Sequence, residues 1–362
     1  MGIFPIPLAG SLFSIYVSQK KSYNVSQYIE GAIAMIRFAT VGTNWITERF
    51  LEAASAIDDF QLTAVYSRTE ERAAEFAGKH GAAHYFTSLK EMAESKAYDA
   101  VYLASPNAFH KEQAVLFMEH GKHVLCEKPF ASNARETDEM IHAAKTNGVL
   151  LMEAMKTTFL PNFSMLQNHL HKIGPVRRFT ASYCQYSSRY DAYKNGTVLN
   201  AFKPELSNGS LMDIGVYCIY PAVVLFGKPK NVIATGHKLS SGVDGEGTVI
   251  LSYDGFEAVM MHSKISNSFA PAEIQGEDGT IVLDSIHGPE RAEIRYRDGR
   301  TEDISVPDLK PSMYYETAEF INLLRNGQRE SSENTFERSF ITASIMEEAR
   351  KQIGIVFPAD QN

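Results

Sequence analysis

From Ile36 the sequence alternates short apolar runs, IRFATV, QLTAVYS, DAVYLA, HVLCE and VLLMEA, with stretches of helical length and period. That rhythm leaves little choice of fold, because strands joined by helices cross over and pair in parallel. A doubly wound parallel sheet is therefore expected for the first part of an α/β chain. The stretch after DAVYLASP predicts a helix over about Ala108 to His120, stopped at Gly121, where a glycine can take the left-handed cap.

Beyond Pro161 the rhythm changes. From Pro175 longer strands dominate, and three Asp-Gly pairs, Asp254-Gly255, Asp278-Gly279 and Asp298-Gly299, fall between or beside β-rich runs. TVILSY and EAVMMHS flank the first pair as hairpin arms, and Asp-Gly suits a type I′ turn, so this half is expected to be an antiparallel sheet. Two helices are predicted to close the chain, roughly Met313 to Arg325 and Thr335 to Ile353. The 362 residues suffice for two packed cores. The expected division is a cofactor domain over 35–155, a substrate and oligomerisation domain over 156–330, and a helix and tail over 331–362 that pack back on the body.

Residues 1–34 stand apart. MGIFPIPLAGSLFSIYV is apolar but broken by Pro5 and Pro7, and it lacks the basic start of a secretory signal. Glu30-Gly31-Ala32 can be encoded by a stretch containing AAGGAG, a bacterial ribosome-binding sequence, just ahead of the Met35 codon. These residues are therefore expected to be translated leader from a misplaced start, with a swapped arm or a signal as the alternatives.

A net charge of −8 leaves no basic field, which argues against nucleic acid or an anionic membrane surface as the main partner. A small-molecule partner is expected instead. The three cysteines, Cys126, Cys184 and Cys218, are odd in number and hold no C-x-x-C pair, which fits a reducing cytoplasm rather than a disulfide framework. The eleven histidines include His169-Leu170-His171 but no H-E-x-x-H, so no metal site is expected.

IRFATVGTNWITERFLEAA opens as a strand, turns at Gly42 and becomes helical after Asn44. A helix start exposes unpaired N–H groups and a positive dipole end, a setting for pyrophosphate. Gly42, Thr43, Asn44, Trp45 and Ile46 are thus candidate cofactor residues. The glycine fingerprint is damaged: Asn44 stands at its second position and Thr47 at its third. Asn tolerates left-handed backbone best among non-glycine residues, so the turn is expected to survive. The second strand ends in Ser67 and Arg68, where an NAD-binding fold holds an acidic residue against the ribose hydroxyls. A hydroxyl and a guanidinium can grip a 2′-phosphate instead, so NADP(H) is preferred and NAD(H) remains possible. The alternative is that Arg68 merely faces solvent ahead of a helix.

VLCEKPFA follows the fifth strand of such a sheet, at the carboxyl ends where ligands bind. Lys128 there would place a cationic donor beside a nicotinamide and a substrate oxygen. Pro129 stiffens the turn, with a cis bond as one option. A surface ion pair of Glu127 with nearby lysines is the competing reading.

ASPNAFH (Ala104 to His110), CEKP, EAM (Glu153 to Met155) and LMDIGVYCI (Leu211 to Ile219), in that order, resemble the glucose-fructose oxidoreductase/inositol dehydrogenase/MocA family. DIGVYC is similar to the dimeric dihydrodiol dehydrogenase branch, which has Tyr where inositol dehydrogenases have His. The resemblance runs from about Met35 to the end. It implies a Rossmann domain and a C-terminal α/β domain whose large open sheet often builds the subunit interface, hence a homodimer or homotetramer. It implies that Lys128 stands near the reacting oxygen and that Asp213 and Tyr217 face the nicotinamide from one helix, a placement their i, i+4 spacing also supports. Tyr217 is the candidate proton donor, its pKa lowered by Lys128, with Asp213 orienting the substrate or the lysine. Pro106, Asn107, Glu127 and Pro129 are expected to line the nicotinamide and its ribose, with Ala104, Ser105, His110 and Lys128 also among the cofactor-binding candidates. His110 matches the family's histidine and has a structural role as an option.

Two departures bear on substrate and affinity: Ser207-Asn208-Gly209 keeps one glycine of a Gly-rich entry, and Thr158 stands where many relatives have Arg. Tyr183, Tyr186, Tyr190, Tyr193 and Phe202 are expected either to stack on a sugar or arene, or to pack as strand residues. The expected activity is an NADP(H)-dependent hydride transfer to or from a sugar, polyol, dihydrodiol or related carbonyl. The rival is a non-catalytic, dinucleotide-binding regulator.

Overall fold

The computed structural model describes residues 35–361, and the expected leader over 1–34 lies outside them. Six strands, β1 (Ile36–Val41), β2 (Phe60–Tyr66), β3 (His84–Phe86), β4 (Ala100–Leu103), β5 (His123–Glu127) and β6 (Leu151–Ala154), form one sheet in the order 3-2-1-4-5-6. Every neighbouring pair is parallel. The order reverses between β1 and β4, which opens a crevice at their carboxyl ends. β3 spans three residues with two exposed, too little apolar chain to register as a run.

Helices cover both faces. On one side Phe38 and Phe50 meet Phe320 and Ile321 of the helix Ser312–Arg325. The Phe38 and Phe320 rings lie 5.8 Å apart. On the other side the helix Ala134–Asn147 packs Met140 and Ala144 over Val101, Val124 and Leu151. Aromatic and aliphatic packing of this kind contributes most of the favourable free energy of such a core. The helix expected from Ala108 starts as a 3₁₀ turn, Asn107–Phe109, and runs as α-helix over His110–Glu119, with Gly121 at φ 74°.

The second sheet holds β7 (Val176–Cys184), β8 (Asn231–Lys238), β9 (Asp244–Ser252), β10 (Glu257–Ser263), β11 (Ala272–Gly276), β12 (Gly279–Leu283), β13 (Ala292–Tyr296) and β14 (Thr301–Asp303), in the order 14-13-12-11-7-10-9-8. All pairs are antiparallel except β7 with β10. Alternate side chains, including Phe179, Val249, Leu251 and Met260, are buried against the helices Val216–Phe226 and Phe336–Ile353. The intervening residues, Met261 at 39% exposure among them, leave the opposite face open.

The three Asp-Gly pairs lie at the β9–β10, β11–β12 and β13–β14 turns. At the first, Gly255 has φ 81° but Asp254 does not turn positive. A type I′ turn needs both, so the expected turn type is corrected: a four-residue loop closes through Tyr253 N–H donating to Phe256 O at 2.9 Å.

Candidate active site

At the end of β1, Gly42 takes φ 108°, and a Cβ there would stand 2.8 Å from the Ala104 carbonyl oxygen. The tips of β1 and β4 approach too closely for any side chain. Gly42→Ala is expected to lower stability by roughly 1–2 kcal/mol from the backbone alone, and more from the clash, as read by urea unfolding. Unchanged stability would show that the β4 tip gives way freely.

Asn44 corrects an expectation. Its backbone is extended (φ −93°, ψ 179°) rather than left-handed, and it caps the helix Trp45–Ala54. Its Oδ1 accepts from Ile46 N at 2.9 Å, and its Nδ2 donates to Ala104 O at 2.9 Å. The side chain therefore does by hydrogen bonding what a glycine does by conformation, holding the β1 and β4 exits together. Arg72, which no sequence signal marked, braces the same loop by donating to Thr43 O at 2.9 Å. At the end of β2, Ser67 is half-buried and Arg68 is exposed. Arg68 makes no ion pair among the described residues.

The β4 and β5 exits are tied by His110, which is fully buried with Nε2 2.9 Å from Ser105 O and Nδ1 3.0 Å from Pro129 O. Burial pushes its pKa down, and the ring acts as a strut. Asn107 Nδ2 reaches across to Ser207 O at 2.9 Å. Glu127 is 7% exposed. It accepts from Tyr102 Oη at 2.6 Å and from Lys128 N at 3.1 Å, so it faces inward rather than pairing on the surface. The Lys128–Pro129 bond is cis.

Lys128, Asp213 and Tyr217 converge. Lys128 Nζ donates to Asp213 O at 2.8 Å and Oδ1 at 3.1 Å, and it sits 4.9 Å from the Tyr217 ring centre. Burial alone would lower the Lys128 pKa, but Tyr217, Asp213 and Glu127 outweigh it and hold the ammonium charged. Asp213 is likewise opposed by burial, yet Lys264 and Lys128 hold its carboxyl well below the usual range.

Tyr217 departs from expectation. Burial raises its phenol above the ordinary value of 10.0 and outweighs the opposite pull of Lys128. The helix is also less regular than its spacing suggests: Leu211–Gly215 form a π-turn before the α-helix Val216–Phe226. Such turns recur at functional sites. The Tyr217 ring meets Tyr183 edge-on at 5.6 Å, and Tyr183 stacks on His287 at 3.9 Å.

Lys128, Asp213, Tyr217 and Tyr183 line one cavity of about 500 Å³ that also touches Asn44, Trp45 and Ile46. Ala104, Ser105, Pro106, Asn107, His110, Glu127 and Lys128 form one wall, and Tyr183, Gln185, Tyr186 and Arg189 form another. Gly42, Thr43, Ser67, Arg68 and Pro129 do not line it. The first two shape the turn beneath, and Ser67 and Arg68 close β2 beside it.

Of the five aromatic candidates, Tyr183 and Tyr186 face the cavity, whereas Tyr190 and Tyr193 pack on the buried Phe202 at 5.8 and 5.2 Å. Thr158 is buried, its Oγ1 donating to Asn334 Oδ1 at 2.7 Å, and stays out of the cavity. Lys264 was not foreseen. It follows β10, lines the cavity and pairs with Asp213 Oδ2.

The crevice suits a dinucleotide: a turn too tight for a side chain, a helix start, and a polar cavity that touches both and also Lys128, Asp213 and Tyr217. A phenol and an ammonium beside one space can exchange a proton with a substrate oxygen and stabilise its charge.

The family model of GFO/IDH/MocA oxidoreductases with an NAD-binding Rossmann fold matches residues 36–155, and that of the GFO/IDH/MocA C-terminal domain matches residues 170–282. The chain is 77% identical over 327 residues to the scyllo-inositol 2-dehydrogenase (NADP(+)) IolU of Bacillus subtilis (strain 168), covering 90% of this chain and 100% of that one. It is 30% identical over 317 residues to the trans-1,2-dihydrobenzene-1,2-diol dehydrogenase of Oryctolagus cuniculus, covering 84% and 94%. The 3-ketoreductase KijD10 of Actinomadura kijaniata, solved with NADP and TDP-benzene, superposes with a TM-score of 0.78 at 24% identity, covering 88% and 98%.

Proposed function

The chain belongs to the GFO/IDH/MocA oxidoreductase family, and from that premise we propose that it is an NADP(H)-dependent dehydrogenase of a cyclic polyol, with scyllo-inositol as the first substrate to test. The observation that carries the reading is the convergence of Lys128, Asp213 and Tyr217 at one end of the crevice. We place the cofactor on residues 35–155 and the substrate chiefly on 156–330.

The dinucleotide, when bound, supplies the hydride acceptor or donor. Ala104 to Asn107 and Glu127 to Pro129 hold its nicotinamide end, and the turn from Gly42 to Ile46 holds its pyrophosphate. In reduction Tyr217 Oη gives its proton to the carbonyl oxygen. In oxidation the deprotonated phenol takes the hydroxyl proton. Lys128 Nζ stabilises negative charge on that oxygen, and Asp213 fixes the ammonium through two contacts. A regulator that binds the dinucleotide without turnover has no use for this trio, so catalysis is the favoured reading.

NADP⁺ reduction by scyllo-inositol, run beside NAD⁺ and over other inositols and dihydrodiols, tests it. Tight NADPH binding without turnover on any of them would favour the regulator. At the 2′-phosphate end, Arg68→Ala is expected to reduce kcat/KM for NADPH about 10- to 100-fold while leaving NADH nearly unchanged. Equal losses for both coenzymes would take Arg68 out of that role.

The open face of the second sheet is the proposed subunit contact of a homodimer or homotetramer, to be read by light scattering. Cys126, Cys184 and Cys218 are free thiols, as suits the cytoplasmic setting we infer.

A further inference from the structure

Lys264 has a setting unlike that of the surface lysines among the described residues. Its side chain is 4% exposed, and its backbone is pinned on both sides: its N–H donates to Gly245 O at 2.8 Å, and its carbonyl accepts from Ser187 N at 2.9 Å. The ammonium lies 5.6 Å from the ring centre of the buried Phe202 and pairs with Asp213 Oδ2. It also borders the cavity. An ammonium has three N–H donors, and among the described residues Asp213 is the sole hydrogen-bond acceptor of this one. Two donors are therefore left on a side chain that is itself almost wholly buried, where leaving them without partners is costly.

Lys128 engages the other oxygen of the same carboxylate. Asp213 is thus flanked by two ammoniums, both bordering the cavity and one of them beside Tyr217. Two ammoniums that share one carboxylate stand close enough for oxygens on neighbouring carbons to be held one by each. We propose that Lys264 is a specificity-determining residue: it donates to the hydroxyl vicinal to the reacting carbon, so that the site selects vicinal diols and α-hydroxy ketones over isolated alcohols and ketones. This rests on the dehydrogenase reading above and assigns a residue of this chain to the second oxygen of its substrate. A site built to hydrogen-bond a substrate hydroxyl rejects the analogue lacking it far more strongly than an apolar pocket rejects a missing methylene.

The test compares NADPH-linked reduction of 2-hydroxycyclohexanone and cyclohexanone by the wild-type protein, Lys264→Met and Lys264→Arg, with NADPH binding measured calorimetrically on each. A rate below detection enters as an upper bound. The wild type is expected to favour the hydroxy ketone in kcat/KM by about 10-fold or more, and Lys264→Met to lose most of that preference through a larger loss on the hydroxy ketone than on cyclohexanone. Lys264→Arg, which keeps a charged donor, is expected to retain part of it. Equal losses on both ketones, or no wild-type preference, would overturn the proposal. Should the wild type bind NADPH yet turn over no cyclic alcohol or ketone, the dehydrogenase reading itself falls, and this proposal with it.

Discussion

Replacing Tyr217 by Phe is expected to reduce kcat by about 10² or more while the protein stays folded. The phenyl ring retains the edge contact with Tyr183 at 5.6 Å and its place beneath Lys128, so the change removes one hydroxyl and little packing. The pH dependence makes the test sharper. Burial keeps the phenol above its ordinary 10.0, so its proton-donating form persists through the neutral range and beyond. Reduction is then expected to be nearly flat in pH, whereas oxidation, which needs the phenolate, climbs with pH through 10 without reaching a plateau. A phenol activated by Lys128 would instead give oxidation a plateau near neutrality, and such a plateau would reinstate the lowered pKa that the family pattern suggests. Wild-type turnover in Tyr217→Phe would assign the proton to another group.

Lys128→Met is expected to have an effect at least as large on kcat, again about 10² or more, and a second consequence that Tyr217→Phe lacks. The ammonium neutralises two carboxylates, the half-buried Asp213 at 3.1 Å and, through its nearby charge, the buried Glu127. Asp213 keeps Lys264, but Glu127 loses its nearest cation in a site where burial already raises its pKa. The variant is therefore expected to unfold at a lower temperature at pH 8 than the wild type, with the difference shrinking as acid protonates Glu127. The sign follows from the direction: a carboxyl whose folded pKa is raised loses stability as pH rises through that value. Melting curves at several pH values read this directly, and a pH-independent difference would show that Glu127 does not depend on Lys128.

The parallel half of the chain was legible because each of its longer strands is a compact apolar run and each crossover helix carries its own stop signals. β3 escaped because a three-residue edge strand with two exposed side chains has no apolar signature. In the site, Lys128, Asp213 and Tyr217 stood out through motifs of adjacent residues, and the fold brings them together.

Lys264 stood in no motif. It reaches Asp213 only because β10 pairs in parallel with β7, aligning Ser263 with Cys184 and so carrying the residue that follows β10 into the cavity wall. Parallel pairing between strands separated by some 70 residues of chain is a tertiary fact that no local pattern encodes. The Tyr217 misjudgement has a similar origin. A lysine nearby argues for a lowered pKa, whereas the degree of burial that reverses it depends on walls from several distant segments. Asn44 shows a third kind of miss: backbone preference favoured one solution to the tight turn, and a side-chain cap supplied another.

Trp45 is the single tryptophan of the chain, and it stands 59% exposed on the rim of the crevice. Indole emission overlaps the absorption band of a reduced dihydropyridine, so a ligand seated below this ring quenches it by resonance energy transfer. The molecule thereby carries its own fluorophore, and coenzyme occupancy becomes an optical titration that needs neither label nor turnover.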